Sequence, residues 1–167
     1  NGVNVILKDE KGADKMLNEQ KTQPFDKKAL FNGFVINKKA RWNSVFGPNS
    51  QKPDYKNGKG TVISFDNVPI LNRLRNKLKY YLGEKAKNLI AEMNYYYNLR
   101  DCGIGFHGDA ERKKVICARL GGRMPIHFQW FYHDKPVGNR FIFNLDHGDI
   151  YIMSEKTVGT DWKNYNI

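Results

Sequence analysis

The sequence predicts an α+β fold dominated by β-structure, and three observations carry that expectation. Between residues 66 and 83, leucines recur at helical spacing on one face. From residue 88 onward the pattern changes to short apolar and aromatic runs separated by Gly, Pro, Asn and Asp. The chain has 167 residues, the length of one domain with a sizeable core. Several short strands at roughly even spacing are the pattern of an antiparallel sandwich or jelly roll.

Residues 1–40 are polar, lysine-rich and expected to be irregular, with one apolar patch at Leu30, Phe31, Phe34, Val35 and Ile36. Residues 43–60 hold Gly47, Pro48, Pro53, Gly58 and Gly60 and read as a loop. Residues 61–65 read as a short strand. Asp66 is expected to cap the helix that follows, with Pro69 in its first turn and Gly83 ending it. Leu71, Leu74, Leu78 and Leu82 form its apolar stripe, expected to pack on a sheet. Residues 89–97 are an apolar and aromatic run. Strands are expected at 105–109, 115–120, 126–132, 140–145 and 149–153, joined by turns at 121–122, 134–138 and 146–148.

Lys and Arg number 28 against 17 Asp and Glu, giving a net charge of +11. That balance favours polyanionic partners, with nucleic acid ahead of a basic surface serving solubility or docking. No apolar run approaches the ~20 residues of a membrane-spanning helix. The polar start lacks the apolar segment of a secretory signal. Cys102 and Cys117 form neither a C-x-x-C pair nor a zinc spacing and read as reduced thiols, so an intracellular protein is expected. The first residue is Asn, and residues 162–167 read as the middle of an element; both point to a segment of a longer polypeptide.

The most informative stretch is Ile104-Gly105-Phe106-His107-Gly108-Asp109-Ala110-Glu111-Arg112. On a strand, side chains at i and i+2 share a face, so His107 and Asp109 converge as two ligands of a divalent metal would. A second His would complete the two-His-one-carboxylate triad that leaves positions open on Fe(II). Around this stretch further motifs follow in order: Asn94-Tyr95-Tyr96-Tyr97, Leu120-Gly121 with Pro125, Phe128-Gln129-Trp130, and Leu145-Asp146-His147-Gly148-Asp149-Ile150-Tyr151-Ile152-Met153.

Over about residues 60–160 this series resembles the AlkB-like family of 2-oxoglutarate- and Fe(II)-dependent dioxygenases. The resemblance implies a double-stranded β-helix (jelly roll) with flanking helices. It implies an N-terminal arm and nucleotide-recognition lid over residues 1–60, and an oxygenase core over 61–167 that continues past the end of this chain. His107 and Asp109 match the proximal iron ligands. Asn94 and Tyr96 match the pair that holds the 2-oxoglutarate carboxylates, although counting back from His107 without a gap puts Tyr97 in the tyrosine position. Glu111 and Arg112 match the acidic and basic residues near the substrate base, and Trp42, beside Arg41, lies in the lid region as a residue for stacking on a base.

His147 reads as a turn histidine inside a scaffold motif, and His127 and His133 match no motif. The distal iron-binding His and the Arg that clamps 2-oxoglutarate have no match before Ile167. The implied activity is oxidative demethylation of alkylated nucleic-acid bases, with Fe(II) as metal and 2-oxoglutarate as co-substrate. Two alternatives stand beside it: a non-catalytic basic structural or assembly protein with a jelly-roll fold, and a 2-oxoglutarate-dependent hydroxylase or demethylase of proteins.

Overall fold

The computed structural model describes residues 1–159; the expectation for residues 162–167 lies outside them. The chain divides into two compact units, one of residues 15–104 and one of residues 1–14 with 105–167. The expected boundary at 60/61 is not a division, because strands on either side of it pair with each other.

In the first unit, β1 (Lys28–Phe31) and β2 (Phe34–Asn37) form an antiparallel hairpin with Phe31 opposite Phe34. Asn32 and Gly33 both have positive φ, 48° and 80°, which is what a two-residue hairpin turn with the right twist demands. β3 (Trp42–Gly47) is the centre of a three-stranded sheet. It pairs in parallel with β4 (Val62–Ser64) and antiparallel with β5 (Ala91–Tyr95). Phe46, Ile63, Phe65 and Val68 form the core beside this sheet, with Leu71, Ala91 and Met93 packed against it. Full burial of side chains of this size is worth about 1.5–3 kcal/mol each.

Helix α1 (Gly2–Leu7) opens the chain, and α2 (Gly12–Lys21) runs across the boundary between the units. Of the leucine stripe of α3 (Pro69–Leu82), Leu74 and Leu78 are buried and Leu71 joins the core, but Leu82, in the last turn, is exposed. The cap is not the expected one. Asp66 lies in a short 3-10 turn, and Val68 at the N-cap offers no side-chain bond. The helix is capped by Glu19 of α2, whose carboxylate accepts from the Ile70 and Leu71 N–H groups at 2.7 and 3.0 Å. An anion there satisfies orphan donors and the positive end of the helix dipole.

One polar cluster joins β3 to the segment before β4. The Asp26 carboxylate is 4% exposed and accepts from the Tyr55 hydroxyl (2.8 Å) and from the Thr61 N–H (2.7 Å) and hydroxyl (2.6 Å). Its own N–H donates to the Asn43 carbonyl at 2.8 Å. A Cβ on Gly60 would stand 2.7 Å from Asp26 Oδ2, so no larger residue fits there without displacing the carboxylate. Residues 1–40 are therefore far from irregular, and residues 43–60 are pinned by β3 and by bridges at Gln51 and Asp54.

In the second unit, β6 (Val115–Ala118) pairs with β9 (Ile150–Met153), and β7 (Met124–Tyr132) pairs with β8 (Lys135–Leu145), all antiparallel. The hairpin turn at His133 and Asp134 again has two positive φ values, 46° and 61°. A short helix, α4 (Glu155–Val158), follows, with the Ser154 side chain capping it and Gly159 closing it at φ 72°. The fold is thus α+β and mainly β. Among the described residues the strands form four separate small sheets and no closed barrel.

Candidate functional site

Residues 105–109 are not a strand but an irregular loop. Strand alternation therefore does not bring His107 and Asp109 together; loop contacts do. The Phe106 ring packs edge-on to Phe131 of β7 with centroids 5.6 Å apart, and the Arg140 guanidinium of β8 lies 5.1 Å from the Phe106 centroid. The Asp109 N–H donates to the Val158 carbonyl of α4 at 2.9 Å. A Cβ on Gly159 would come within 3.2 Å of the Gly108 Cα, so the close approach of α4 to the loop requires glycine at 159.

The pair itself is well placed. His107 Nδ1 is 2.8 Å from the Gly105 carbonyl. A carbonyl only accepts, so this bond puts the proton on Nδ1 and leaves Nε2 as the open nitrogen of the neutral ring. Nε2 faces Asp109 Oδ1 at 3.6 Å. A ring nitrogen and a carboxylate oxygen at this separation can share a cation, a proton or a metal ion. Cis ligands of a first-row metal stand about 3 Å apart, close to this separation. A backbone carbonyl fixing the tautomer of a ligand histidine is a common supporting contact at metal sites.

Asp109 Oδ2 is paired with the Arg112 guanidinium at 3.1 Å, which orients the carboxylate. Glu111 is exposed beside them. Among the described residues no group of three His, Cys, Asp or Glu side chains gathers at one point.

The other expected residues belong to the unit of residues 15–104. Asn94 lies on β5 opposite Asn43, and its side-chain oxygen accepts from Arg41 Nε at 2.8 Å. Amide and guanidinium donors therefore stand side by side, a fit for a carboxylate. Tyr96 follows the end of β5 and is half-buried. Tyr97 donates to the Lys39 carbonyl at 2.8 Å and stacks on Trp42 at 4.2 Å. Trp42 also has the Lys27 ammonium over its ring at 4.3 Å. The ring of Trp42, the residue expected to stack on a base, is thus in contact with Tyr97 and Lys27. Phe31 (62% exposed) and Phe34 (73% exposed), at the tip of the β1–β2 hairpin, are among the aromatics open to solvent. The signal for them is Phe-Asn-Gly-Phe, a turn dipeptide flanked by aromatics.

His147 is a turn residue. Its Nδ1 accepts from the Gly121 N–H at 3.0 Å, which places the proton on Nε2, 3.2 Å from Asp14 Oδ1. The angle there is too poor for a hydrogen bond, so the contact is one of proximity. Around it, Arg123 clamps Asp146 through Nε and Nη2 at 2.5 and 2.9 Å, and this guanidinium holds the Asp146 carboxyl below its ordinary value. The Gly121 and His147 motifs are two halves of one connection. His127 is exposed on β7, and His133 sits edge-on to Tyr132 in the hairpin turn.

No family model matches the chain. It is 46% identical over 155 residues, 93% of its length, to an uncharacterized protein of Acanthamoeba polyphaga mimivirus. The chain spans 60% of the length of that relative.

Proposed function

We propose that the protein is a 2-oxoglutarate- and Fe(II)-dependent dioxygenase of AlkB-like type that demethylates alkylated nucleic-acid bases. The observation that carries this reading is the His107–Asp109 pair: two potential ligand atoms 3.6 Å apart, with the imidazole held by a backbone carbonyl. The strand pairing supports it. β6·β9 encloses β7·β8, and antiparallel pairs nested in this way are what the inner part of a folded jelly-roll hairpin contains. The motif order of the sequence adds to both.

In this reading His107 Nε2 and Asp109 Oδ1 would hold the iron, which would supply the oxidising chemistry. The chain's own contribution is orientation. The Gly105 carbonyl accepts from Nδ1–H and so holds the His107 ring, Arg112 fixes the rotation of the Asp109 carboxylate, and α4 fixes its backbone.

The test is anaerobic Mn(II) or Fe(II) titration by calorimetry, together with succinate and formaldehyde release from an N-methylated oligonucleotide. The proposal expects His107→Ala and Asp109→Ala each to abolish metal binding and turnover. Wild-type protein that binds no divalent metal would sink it. A second reading, a basic assembly protein, draws on the Arg112–Asp109 ion pair, which already neutralises one carboxylate oxygen. That reading expects metal-independent binding to a polyanion and no succinate.

A further inference from the structure

We propose that the solvent face of α3 is a track for single-stranded nucleic acid, on which Arg73 and Lys77 pair with phosphates and Tyr80 stacks on a base. The inference shares its ligand class with the oxygenase reading but rests on neither metal nor co-substrate.

The first argument is the partition of charge. Residues 15–104 carry 17 Lys and Arg against 7 Asp and Glu, a net charge of +10. The other unit carries 11 against 10, a net charge of +1. The basic character of the whole chain therefore belongs to one unit. Two of that unit's seven carboxylates are also turned inward, Asp26 into its polar cluster and Glu19 onto the start of α3.

The second argument is the helix itself. α3 reads PILNRLRNKLKYYL, with four cations and no acid. At 100° per residue, Asn72, Arg73, Asn76, Lys77 and Tyr80 fall within one face, opposite the buried Leu74 and Leu78. These five side chains line one shallow groove. Arg75 is used by the fold, donating to the Leu89 carbonyl and lying 4.2 Å from the Phe65 centroid. Arg73 and Lys77 are one turn apart.

The third argument is Tyr80. It is 76% exposed, with the Lys79 ammonium 4.9 Å from its centroid. Cations spaced along a surface with an open aromatic ring and amide groups between them are the chemistry of single-strand binding. Pro69, at the N-terminal end of the groove, is its aliphatic side chain, against three cations along the rest of it. Asp66, at the N-terminal end of the groove, repels phosphate and directs the strand toward Tyr80 and the C-terminal end of the helix.

The experiment is fluorescence anisotropy of the full chain with mixed-sequence single-stranded RNA and DNA 20-mers and a DNA duplex, across a salt series. Arg73→Glu/Lys77→Glu is expected to weaken single-strand binding at least 10-fold. It should also lower the slope of log K against log salt by about 1.4, two phosphates at roughly 0.7 each. Tyr80→Ala is expected to cost single-strand binding about 5- to 100-fold while changing duplex binding little. Lys52→Glu/Lys56→Glu, an equal charge change in the same unit, is expected to cost less than 3-fold. The proposal is overturned if the two charge reversals weaken binding equally, if Tyr80→Ala has no effect, or if anionic vesicles are bound more tightly than the oligonucleotides. Arg73, Tyr80, Lys52 and Lys56 are exposed and Lys77 is half-buried, and unchanged melting temperatures confirm that each variant folds.

Discussion

The two units build their interiors differently. Residues 15–104 enclose Phe46, Ile63, Phe65 and Val68, and seal the edge of that core with the Asp26 cluster. In the other unit the β7–β8 hairpin leaves Phe141, Ile142 and Phe143, successive residues pointing to alternate faces, each more than half exposed. A two-stranded ribbon has no third strand to lean on, and its stability comes from cross-strand pairs such as Phe128 with Phe143, centroids 6.0 Å apart. One unit is thus a basic body with a dry core. The other is electrically balanced, carries the His107–Asp109 pair, and holds much of its apolar surface outward.

The comparison is sharpest for matched substitutions. Phe46→Ala should cost about 3–5 kcal/mol by urea denaturation, because it opens a cavity in a packed core. Phe143→Ala, on the ribbon, should cost less than about 1 kcal/mol. Equal losses would mean that the ribbon is as well packed as the core.

The carboxylates give the next contrast. Asp26→Ala leaves the Tyr55 hydroxyl and two Thr61 donors without their acceptor and should cost about 3 kcal/mol or more. Asp109→Ala removes a partly exposed ion pair with Arg112, worth about 0–1 kcal/mol. A large stability loss from Asp109→Ala would make that residue a structural element and weaken its assignment as a ligand. Gly60→Ala, which forces a Cβ to 2.7 Å from Asp26 Oδ2, should fall between the two at about 1–3 kcal/mol.

The smallest effect is in titration. Partial burial, and then the hydrogen bond to Asp26, push the Tyr55 phenol up to about 12. The fold favours the neutral phenol, so this contribution is complete below pH 10 and is lost as pH rises toward 12. In an absorbance titration of the nine tyrosines, Tyr55 is expected as a late-ionising phenol that moves earlier in Asp26→Asn. No change in that variant would show that the Tyr55–Asp26 contact contributes nothing to the shift.

Much of α3 was legible in the sequence, because a 3.6-residue period leaves a mark on every turn: Leu71, Leu74 and Leu78 point inward and Gly83 ends the helix. Its cap was not, since Glu19 lies 51 residues before Ile70 and only folding brings them together. The hairpin at Asn32-Gly33 was written in its turn dipeptide but hidden by the polar, lysine-rich composition around it. His107 and Asp109 stand 3.6 Å apart in a loop, not through the strand alternation that their spacing predicts. The loop converges because Phe106 is anchored on Phe131 and the Asp109 amide on Val158, contacts that no short-range pattern encodes.

By itself the sequence determined the total charge, the amphipathic helix, the turns and the identity of the two candidate ligands, all of which depend on composition or on neighbours a few residues away. The tertiary structure alone decided where that charge resides. It also decided which aromatics face solvent and how the rotation of the His107 ring is held. Those properties depend on which distant segments share a surface. Chain folding sets this by burying apolar area and pairing polar groups, and proximity along the chain does not record it.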